Sequence, residues 1–390
     1  MEQAARKHTS RLVHRIAVAA LFFLLGLCFA SWASRIPTIR QQLGLTETLL
    51  GLVLFALPVG SLLSLALSGW LIDKWGSKRV VITALLLYSV VLFSIGLASS
   101  VFGLVIILFF FGMLGNTVNI AVNTQAVGVE KLYGRSIMAS FHGLWSLAGF
   151  TGAAIGTLMM GKSISPFYHF LFILGFVFLI TAVAAKFTLP VDEKHSSNQA
   201  LFVWPDKSLV YLGIISFCAM MCEGAMFDWS GIYFEKVIGA EKGWIGAGYT
   251  GFMCTMATGR FIADSVVNRF GLKATLQGSG ILIATGLLLA VAYPSFLPSL
   301  VGFLLVGFGV SSIVPLVYSA AGKSKTFSAG RALAAVSTIG FFGFLLGPPM
   351  IGLIAGASSL RISFSVIAFM GLCVCLLASL RKQQIAQKSE

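Results

Sequence analysis

The chain has 390 residues, of which 57% are hydrophobic and only 10% are charged, and its mean hydropathy is +0.93. Soluble domains carry about a quarter charged residues, so this composition excludes an ordinary soluble domain and indicates an integral membrane protein. The formal net charge of +14 does not predict nucleic-acid binding. The basic residues are scattered in short polar gaps between apolar segments and do not form one stripe.

Apolar segments of about 20 residues recur along the chain, and each can cross a hydrocarbon core roughly 30 Å thick. The first follows a basic tail and continues to Trp32, so we interpret it as an uncleaved helix and not as a signal peptide. The six cysteines lie inside apolar segments and suggest packing, with no disulfide framework and no zinc motif. The sequence predicts an all-α membrane protein with twelve transmembrane helices, at approximately 14–36, 47–70, 79–98, 102–129, 136–160, 166–187, 208–235, 243–267, 274–292, 298–321, 330–353 and 361–380.

The first predicted helix ends in "ASWASRIPTIR", where Arg35 follows Trp32. A basic residue at this position either attracts an anionic substrate, gates the outer mouth of a pathway, or only extends its charge to the membrane surface.

The fourth and fifth predicted helices carry polar groups. Asn116, Asn119 and Asn123 follow i, i+3, i+7 spacing and therefore share one helix face. Such amides bind either the hydroxyls of a polar solute or the neighbouring helices, and Asn116, nearest the middle, is the first candidate for a ligand contact. His142 is a candidate for proton movement because unperturbed histidine side chains titrate near neutrality, although a buried neutral histidine bonded to one of these amides is the alternative. Trp145, one turn further on, either stacks on a ring of the solute or packs.

The longest polar gap, Thr188 to Ser208, divides the chain into two halves. We predict an N-terminal six-helix bundle over 1–187, a cytoplasmic linker over 188–207 and a C-terminal six-helix bundle over 208–390. Most of the 27 Lys and Arg residues fall in the gaps on the same side as both termini, so both termini are expected in the cytoplasm.

The seventh predicted helix contains two acids in "CEGAMFDWSG". Glu223 falls near the bilayer centre, and Asp228 about one and a half turns closer to the periplasm. A charged side chain at the centre costs roughly 2.5 to 3.5 kcal/mol, so it faces a cavity, pairs or is protonated. Because removal from water favours the neutral carboxyl, Glu223 is suited to carrying a proton. The alternatives are a carboxyl locked at a helix interface and, for Asp228, a positioning role beside Trp229.

The eighth predicted helix places Arg260 four residues before Asp264. This spacing favours an ion pair within the helix, with closure of the cytoplasmic side as the alternative role.

An internal repeat relates the halves. At an offset of 195 residues, "DKWGSK" (73–78) falls on "NRFGLK" (268–273), and Ala148 and Gly152 fall on Gly343 and Gly347. Both matches lie at equivalent positions in the helix order, which favours a duplicated six-helix unit. Parallel repeats of this kind characterise one class of secondary transporters.

The stretch "GWLIDKWGSKR" (69–79) resembles the loop signature G-x-x-x-D-[RK]-x-G-[RK]-[RK] of the major facilitator superfamily, departing where Ser77 replaces a basic residue. The resemblance implies two six-helix bundles related by a pseudo-two-fold axis. Asp73 then either latches one conformation, or the basic residues around it serve only topology. "NTQAVGVEKLYGRSIMASFHGLWSLAG", "EGAMFDWSG" and "GRFIAD" resemble a bacterial branch that includes the YbjJ-like inner-membrane proteins, near the fucose-permease type.

We therefore expect a secondary transporter of the bacterial inner membrane that moves a small polar organic solute by alternating access and proton symport. Proton-driven efflux of amphipathic compounds or drugs is the alternative. The sequence has no His-Glu-x-x-His motif and no phosphate-binding lysine motif, so an enzyme or an ATP-driven pump is not expected.

We expect no cofactor, no metal and no nucleic acid, with H+ as the coupling ion, the lipid bilayer as surroundings and a monomeric state. The candidate residues are Asn116, Asn119, Asn123, Trp145, Trp32 and Trp229 for substrate, Glu223, Asp228 and His142 for the proton, and Asp73, Arg35, Arg260 and Asp264 for gating.

Overall fold

The computed structural model describes residues 2–134, 137–190, 206–324, 326 and 329–380, and all regular structure within these ranges is helical. The all-α prediction is thus confirmed. The predicted linker over 188–207 lies mostly outside the described residues. The helices are α1 (Glu2–Gln42), α2 (Glu47–Leu54), α3 (Ala56–Trp75), α4 (Ser77–Ile95), α5 (Val101–Tyr133), α6 (Met138–Gly161), α7 (Pro166–Phe187), α8 (Lys207–Lys236), α9 (Ala247–Ala292), α10 (Phe296–Gly322), α11 (Ala329–Ala357) and α12 (Leu360–Leu380).

These helices account for twelve membrane crossings over the described ranges. α2 and α3 together form the second crossing, interrupted at Phe55, whereas α9 contains two crossings that meet at Gly271. Within the described residues, eleven segments are long and apolar enough to span a membrane by length and composition, and the second part of α9 is one of them.

Two glycine turns support the internal repeat. Gly76 separates α3 from α4 with φ 80° and ψ 150°, and Gly271 breaks α9 with φ 77° and ψ 163°. These two glycines are 195 residues apart, the same offset that aligns the sequence halves. Because a side chain is strained at positive φ, glycine is required at both turns.

The first compact unit comprises Met1–Gly44 and Val53–Ser197. Within it, α1 packs on α6, α7 and α5, while α3 and α4 pack on α5. α3 and α5 approach closely at Gly60 and Gly112, where an added methyl group would collide with the backbone of Phe109 and Leu57. Small residues at such crossings allow membrane helices to pack backbone against backbone.

The second compact unit comprises Leu45–Leu52 and Asn198–Glu390. Here α9 packs on α10 and α12, and α8 packs on α11. The beginning of α2 belongs to this unit because it lies against α11. The Thr48 hydroxyl donates to the Gly352 carbonyl over 3.4 Å, and a Cβ on Gly352 would lie 2.8 Å from the Cα of Gly51. A stretch from the first half of the chain is therefore held by a helix of the second half.

Candidate functional site

The most polar feature inside the second unit is an ion pair between α8 and α9. Arg260 Nη2 donates to Glu223 Oε1 over 3.2 Å, and the side chains of the two residues are 19% and 8% exposed. Asp206 caps the start of α8 by accepting from the Leu209 N–H over 2.9 Å, and Glu223 lies about four and a half turns further along. The two helices therefore bring opposite charges together within an apolar bundle.

This contact gives Arg260 a partner that the sequence did not assign to it. The i, i+4 rule points to Asp264 on the same helix, whereas the structure shows Glu223 on the neighbouring helix as a partner. The side chain of Asp264 lies outside the described residues, so an additional contact between it and Arg260 stays a prediction. A spacing rule within one helix cannot detect a partner on another helix, so it gives no sign of Glu223.

Asp228 lies one and a half turns beyond Glu223 and is half-buried. It makes no hydrogen bond or ion pair with the residues that the structure describes. The neighbouring Phe227 ring contacts Tyr249 edge-on with ring centroids 6.2 Å apart. The Tyr249 hydroxyl is buried and has no hydrogen-bond partner in the described part of the chain. The carboxyl of Asp228 and the phenol of Tyr249 are therefore two polar groups in the same apolar region, and each has unused hydrogen-bonding capacity.

Sequence reasoning missed Tyr249. A tyrosine inside a segment such as "GAGYTGF" carries no signal of its own, since tyrosines are common in apolar helices. Only the packing of α9 against Phe227 on α8 shows that it belongs beside the acidic residues.

The three asparagines on one face of α5, in the first unit, fall into two groups by their hydrogen bonds. The Asn116 amide donates to the Ser61 carbonyl over 3.0 Å and to Ser64 Oγ over 2.8 Å, which ties α5 to α3. Asn123 instead donates to the Asn119 carbonyl and to Asn119 Oδ1, over 2.8 and 3.1 Å, and Asn119 is exposed. Of the three, Asn116 bonds a neighbouring helix, whereas Asn119 and Asn123 bond each other on an exposed part of α5.

His142 and Trp145 on α6 lie against α1. The His142 ring meets Phe22 edge-on with centroids 5.4 Å apart, and Trp145 stacks on Phe29 at 6.4 Å. His142 is exposed. The ring is therefore not buried as the alternative assumed, and the proton role of His142 stays a prediction.

Two tryptophans proposed for substrate contact are packed in the interiors of the two units. Trp32 is 1% exposed and meets Phe111 edge-on at 6.4 Å, and Trp229 is fully buried. Neither indole N–H has a hydrogen-bond partner among the described residues. In this conformation both side chains contribute packing, and a solute would reach them only after a rearrangement.

Arg35 differs from the expectation of a residue at a helix end. α1 continues past Pro37 to Gln42, so Arg35 lies inside the helix, and its side chain is 1% exposed. Its guanidinium donates to His169 Nδ1 over 3.1 Å and to the Ile164 carbonyl over 2.7 Å. His169 on α7 is fully buried and was not identified from sequence. Arg35 thus connects α1 to the start of α7 and does not reach for the membrane surface.

Asp73 lies near the end of α3 and is exposed. It makes no hydrogen bond or ion pair with the described residues. No described residue therefore binds Asp73 in a way that would support a latch, and the latch role stays a prediction. Over the described residues, no group of three or more His, Cys, Asp or Glu side chains is placed to hold a metal ion.

Comparison with known proteins gives the family. The Major Facilitator Superfamily model matches residues 18–249 and 212–388. An uncharacterised MFS-type transporter of Yersinia pestis is 33% identical over 360 residues, covering 92% of this chain and 94% of the relative. A crystal structure of the nucleoside transporter NupG is similar with TM-score 0.74 and 14% identity, covering 94% of this chain and 98% of that chain.

A crystal structure of the E. coli fucose:proton symporter FucP has TM-score 0.61 and 18% identity, covering 96% of this chain and 100% of that chain. At these identities the two structures show the fold alone. The matches and the twelve crossings establish the predicted transporter fold and indicate a transporter, not an enzyme. The chain belongs to the Major Facilitator Superfamily.

Proposed function

We propose that this transporter moves a small polar organic solute together with a proton across the bacterial cytoplasmic membrane, by alternating access and with both termini in the cytoplasm. The observation that carries the proposal is the largely buried ion pair between Glu223 and Arg260. The fold that this chain shares with FucP is compatible with such a mechanism. Fucose itself is not proposed as the substrate of this protein.

The pair couples a proton to a conformation in the following way. Protonation of Glu223 removes the negative charge that faces Arg260 across the two helices. The Arg260 cation is then held less strongly in this position, so it gains from any rearrangement that brings it closer to water or to another anionic group. A proton that binds one conformation better than another shifts the equilibrium between them. Asp228, one and a half turns away, is a second carboxyl that can accept the proton.

For the solute, we propose the Asn119–Asn123 pair, Trp145 and His142 as contacts in the first unit. Amide groups donate to and accept from hydroxyl and carbonyl groups, and an indole face stacks on a sugar or heterocyclic ring. Asn116 has a positioning role because its amide is bonded to α3. The predicted orientation rests on the excess of Lys and Arg on the side of the termini.

A second candidate function is proton-driven efflux of amphipathic compounds. Aromatic rings beside Asp228 favour it: Phe227 stacks on Phe344 with centroids 6.1 Å apart and meets Phe252 edge-on at 5.8 Å. Aromatic rings next to a carboxyl suit a cation with an apolar body.

The test begins with a thermal-shift screen of the purified protein against nucleosides, deoxyhexoses, other small metabolites and lipophilic cations. A compound that stabilises the protein is then added to proteoliposomes that contain a trapped pH indicator. Symport predicts that the lumen acidifies as solute enters, whereas exchange for a proton predicts that it becomes alkaline. Solute entry without any change of lumenal pH would refute proton coupling of either kind.

A further inference from the structure

A lateral groove of about 440 Å³ lies in the first unit between α3 and α4, with α5 as its floor. The two helices leave the Gly76 turn and then pack mainly on α5 and little on each other. Their divergence opens a wedge that is walled by Leu67 and Leu71 on one side and Leu87 on the other, above Met113 and Leu114. The leucines at its mouth are accessible, with Leu67 39% and Leu87 48% exposed.

The length of the groove matches one leaflet of a bilayer. Arg79 and Leu87, which line it near its two ends, are eight residues apart on α4 and therefore about 12 Å apart along the helix axis. Half of a hydrocarbon core is about 15 Å thick. The apolar walls thus run from the membrane surface at the Gly76 turn through most of one leaflet, which is the span of a phospholipid acyl chain.

The end of the groove at the Gly76 turn is polar and basic. Arg79 lines the groove there, is exposed, and makes no hydrogen bond or ion pair with the described residues. Lys74, the penultimate residue of α3, lies 4.7 Å from the centre of the Trp70 ring and 5.6 Å from that of Trp75. The segment around Gly76 carries one acidic residue, Asp73, and three basic residues, so its net charge is positive. The basic residues are Lys74, Lys78 and Arg79. A guanidinium binds phosphate oxygens through two parallel hydrogen bonds.

The two exposed tryptophans support a membrane-surface location for this end. Trp70 and Trp75 are 53% and 50% exposed, and indole rings are enriched at the level of lipid headgroups. Lys74 lies against both rings and therefore adds a positive charge at the same end of the groove. The apolar wedge and the basic end are therefore arranged in the same order as the chain and headgroup of a lipid.

We propose that this groove binds an anionic phospholipid, with one acyl chain between α3 and α4 and its phosphate on Arg79. The leaflet would be the cytoplasmic one if the proposed orientation of the termini is correct. The site does not depend on the proton-coupling proposal, since it shares no residue with Glu223 or Arg260. Charge complementarity at Arg79 selects an anionic lipid over a zwitterionic one.

Native mass spectrometry of the full-length protein in detergent tests the proposal, with dioleoyl phosphatidylglycerol and dioleoyl phosphatidylcholine titrated in parallel. We expect one adduct that forms with phosphatidylglycerol at about tenfold lower concentration than with phosphatidylcholine. Arg79→Gln should weaken phosphatidylglycerol binding by about tenfold, the expected loss for a charge-assisted phosphate contact. Lys323→Gln, which neutralises an exposed basic residue outside the groove, should leave binding unchanged.

A second variant tests the acyl-chain half of the site. Thr83 lines the groove and is exposed, so Thr83→Trp fills the wedge without changing charge. It should weaken phosphatidylglycerol binding at least as much as Arg79→Gln while the melting temperature in detergent stays close to that of the wild type. If Thr83→Trp lowers the folding yield, Leu67→Trp replaces it. The proposal is overturned if both lipids bind equally, if Arg79→Gln acts no more than Lys323→Gln, or if a folded groove-filling variant binds normally.

Discussion

Arg260 on α9 lies 3.2 Å from Glu223 on α8, and neither side chain is more than 19% exposed. A pair with this burial is poor evidence for stability as such, because removing two charges from water offsets most of their attraction. The pair matters because protonation of Glu223 neutralises the carboxylate and so removes the negative charge that faces Arg260.

Glu223→Gln removes the titratable group while preserving the shape of the side chain. We expect proton-driven accumulation of the solute to fall to an inside-to-outside ratio of about one, with solute exchange still measurable, since the amide cannot take up and release a proton. Accumulation and counterflow in the same proteoliposomes measure the two properties separately. Glu241→Gln, at an exposed acid, is the matched control and should accumulate solute normally. Normal accumulation by Glu223→Gln would show that this residue is not the essential carrier.

A thermodynamic cycle tests whether Glu223 and Arg260 interact in the folded protein. Arg260→Gln leaves a carboxyl without its counter-charge and should cost up to about 3 to 5 kcal/mol of unfolding free energy. Adding Glu223→Gln should recover much of that loss, because the carboxyl that lost its counter-charge is then replaced by a neutral amide. Unfolding of purified protein by denaturant gives all four corners of the cycle. Additive losses would show that the two residues are energetically independent.

The two kinds of asparagine on α5 predict different defects. Asn116→Ala breaks the amide contacts to α3 and should lower unfolding free energy by about 1 kcal/mol, the scale of hydrogen bonds between membrane helices, with little change in apparent solute affinity. Asn119→Ala leaves those contacts intact and should weaken affinity at normal stability. Transport titrations and thermal melts of both variants measure the difference. Weakened affinity at wild-type stability in Asn116→Ala would restore it as a direct ligand.

The crossings and the repeat could be predicted because they depend on local patterns. A run of about 20 apolar residues identifies a crossing whatever its neighbours are, and the glycines at 76 and 271 occupy turns that only this residue adopts without strain. Contacts between helices have no such pattern. The carbonyl of Ser61 that binds Asn116 lies 55 residues away, and the His169 ring that binds Arg35 lies 134 residues away.

Arg35 is expected to act through stability and not as a gate for solute. Arg35→Gln loses a buried, charge-assisted contact to His169 and one to the Ile164 carbonyl, each worth about 1.5 to 3 kcal/mol. We expect a large drop in melting temperature and in yield. The control is Arg361→Gln, because Arg361 also donates to a backbone carbonyl, that of Val291, but is exposed. A well-folded Arg35→Gln protein with altered solute selectivity would support the gating role instead.

The contact of α2 with α11 allows a test of alternating access itself. A Cβ built on Gly356 lies 3.3 Å from the Cβ of Thr48, close to the roughly 3.5 to 4.5 Å that a disulfide bridges. We expect Thr48→Cys combined with Gly356→Cys to form this bond on oxidation. If transport requires the start of α2 to separate from α11, the oxidised protein should lose transport and regain it after reduction.

The single variants Thr48→Cys and Gly356→Cys are the controls, and they also reveal any effect of oxidising Cys254, which is the exposed native cysteine among the residues described. Both should transport at the same rate before and after oxidation. Binding of the solute to the oxidised double variant, measured by thermal shift, separates a locked protein from a damaged one. Full transport through a protein that is quantitatively cross-linked at these positions would mean that α2 and α11 stay together throughout the cycle, and the moving parts would then have to be sought elsewhere in the fold.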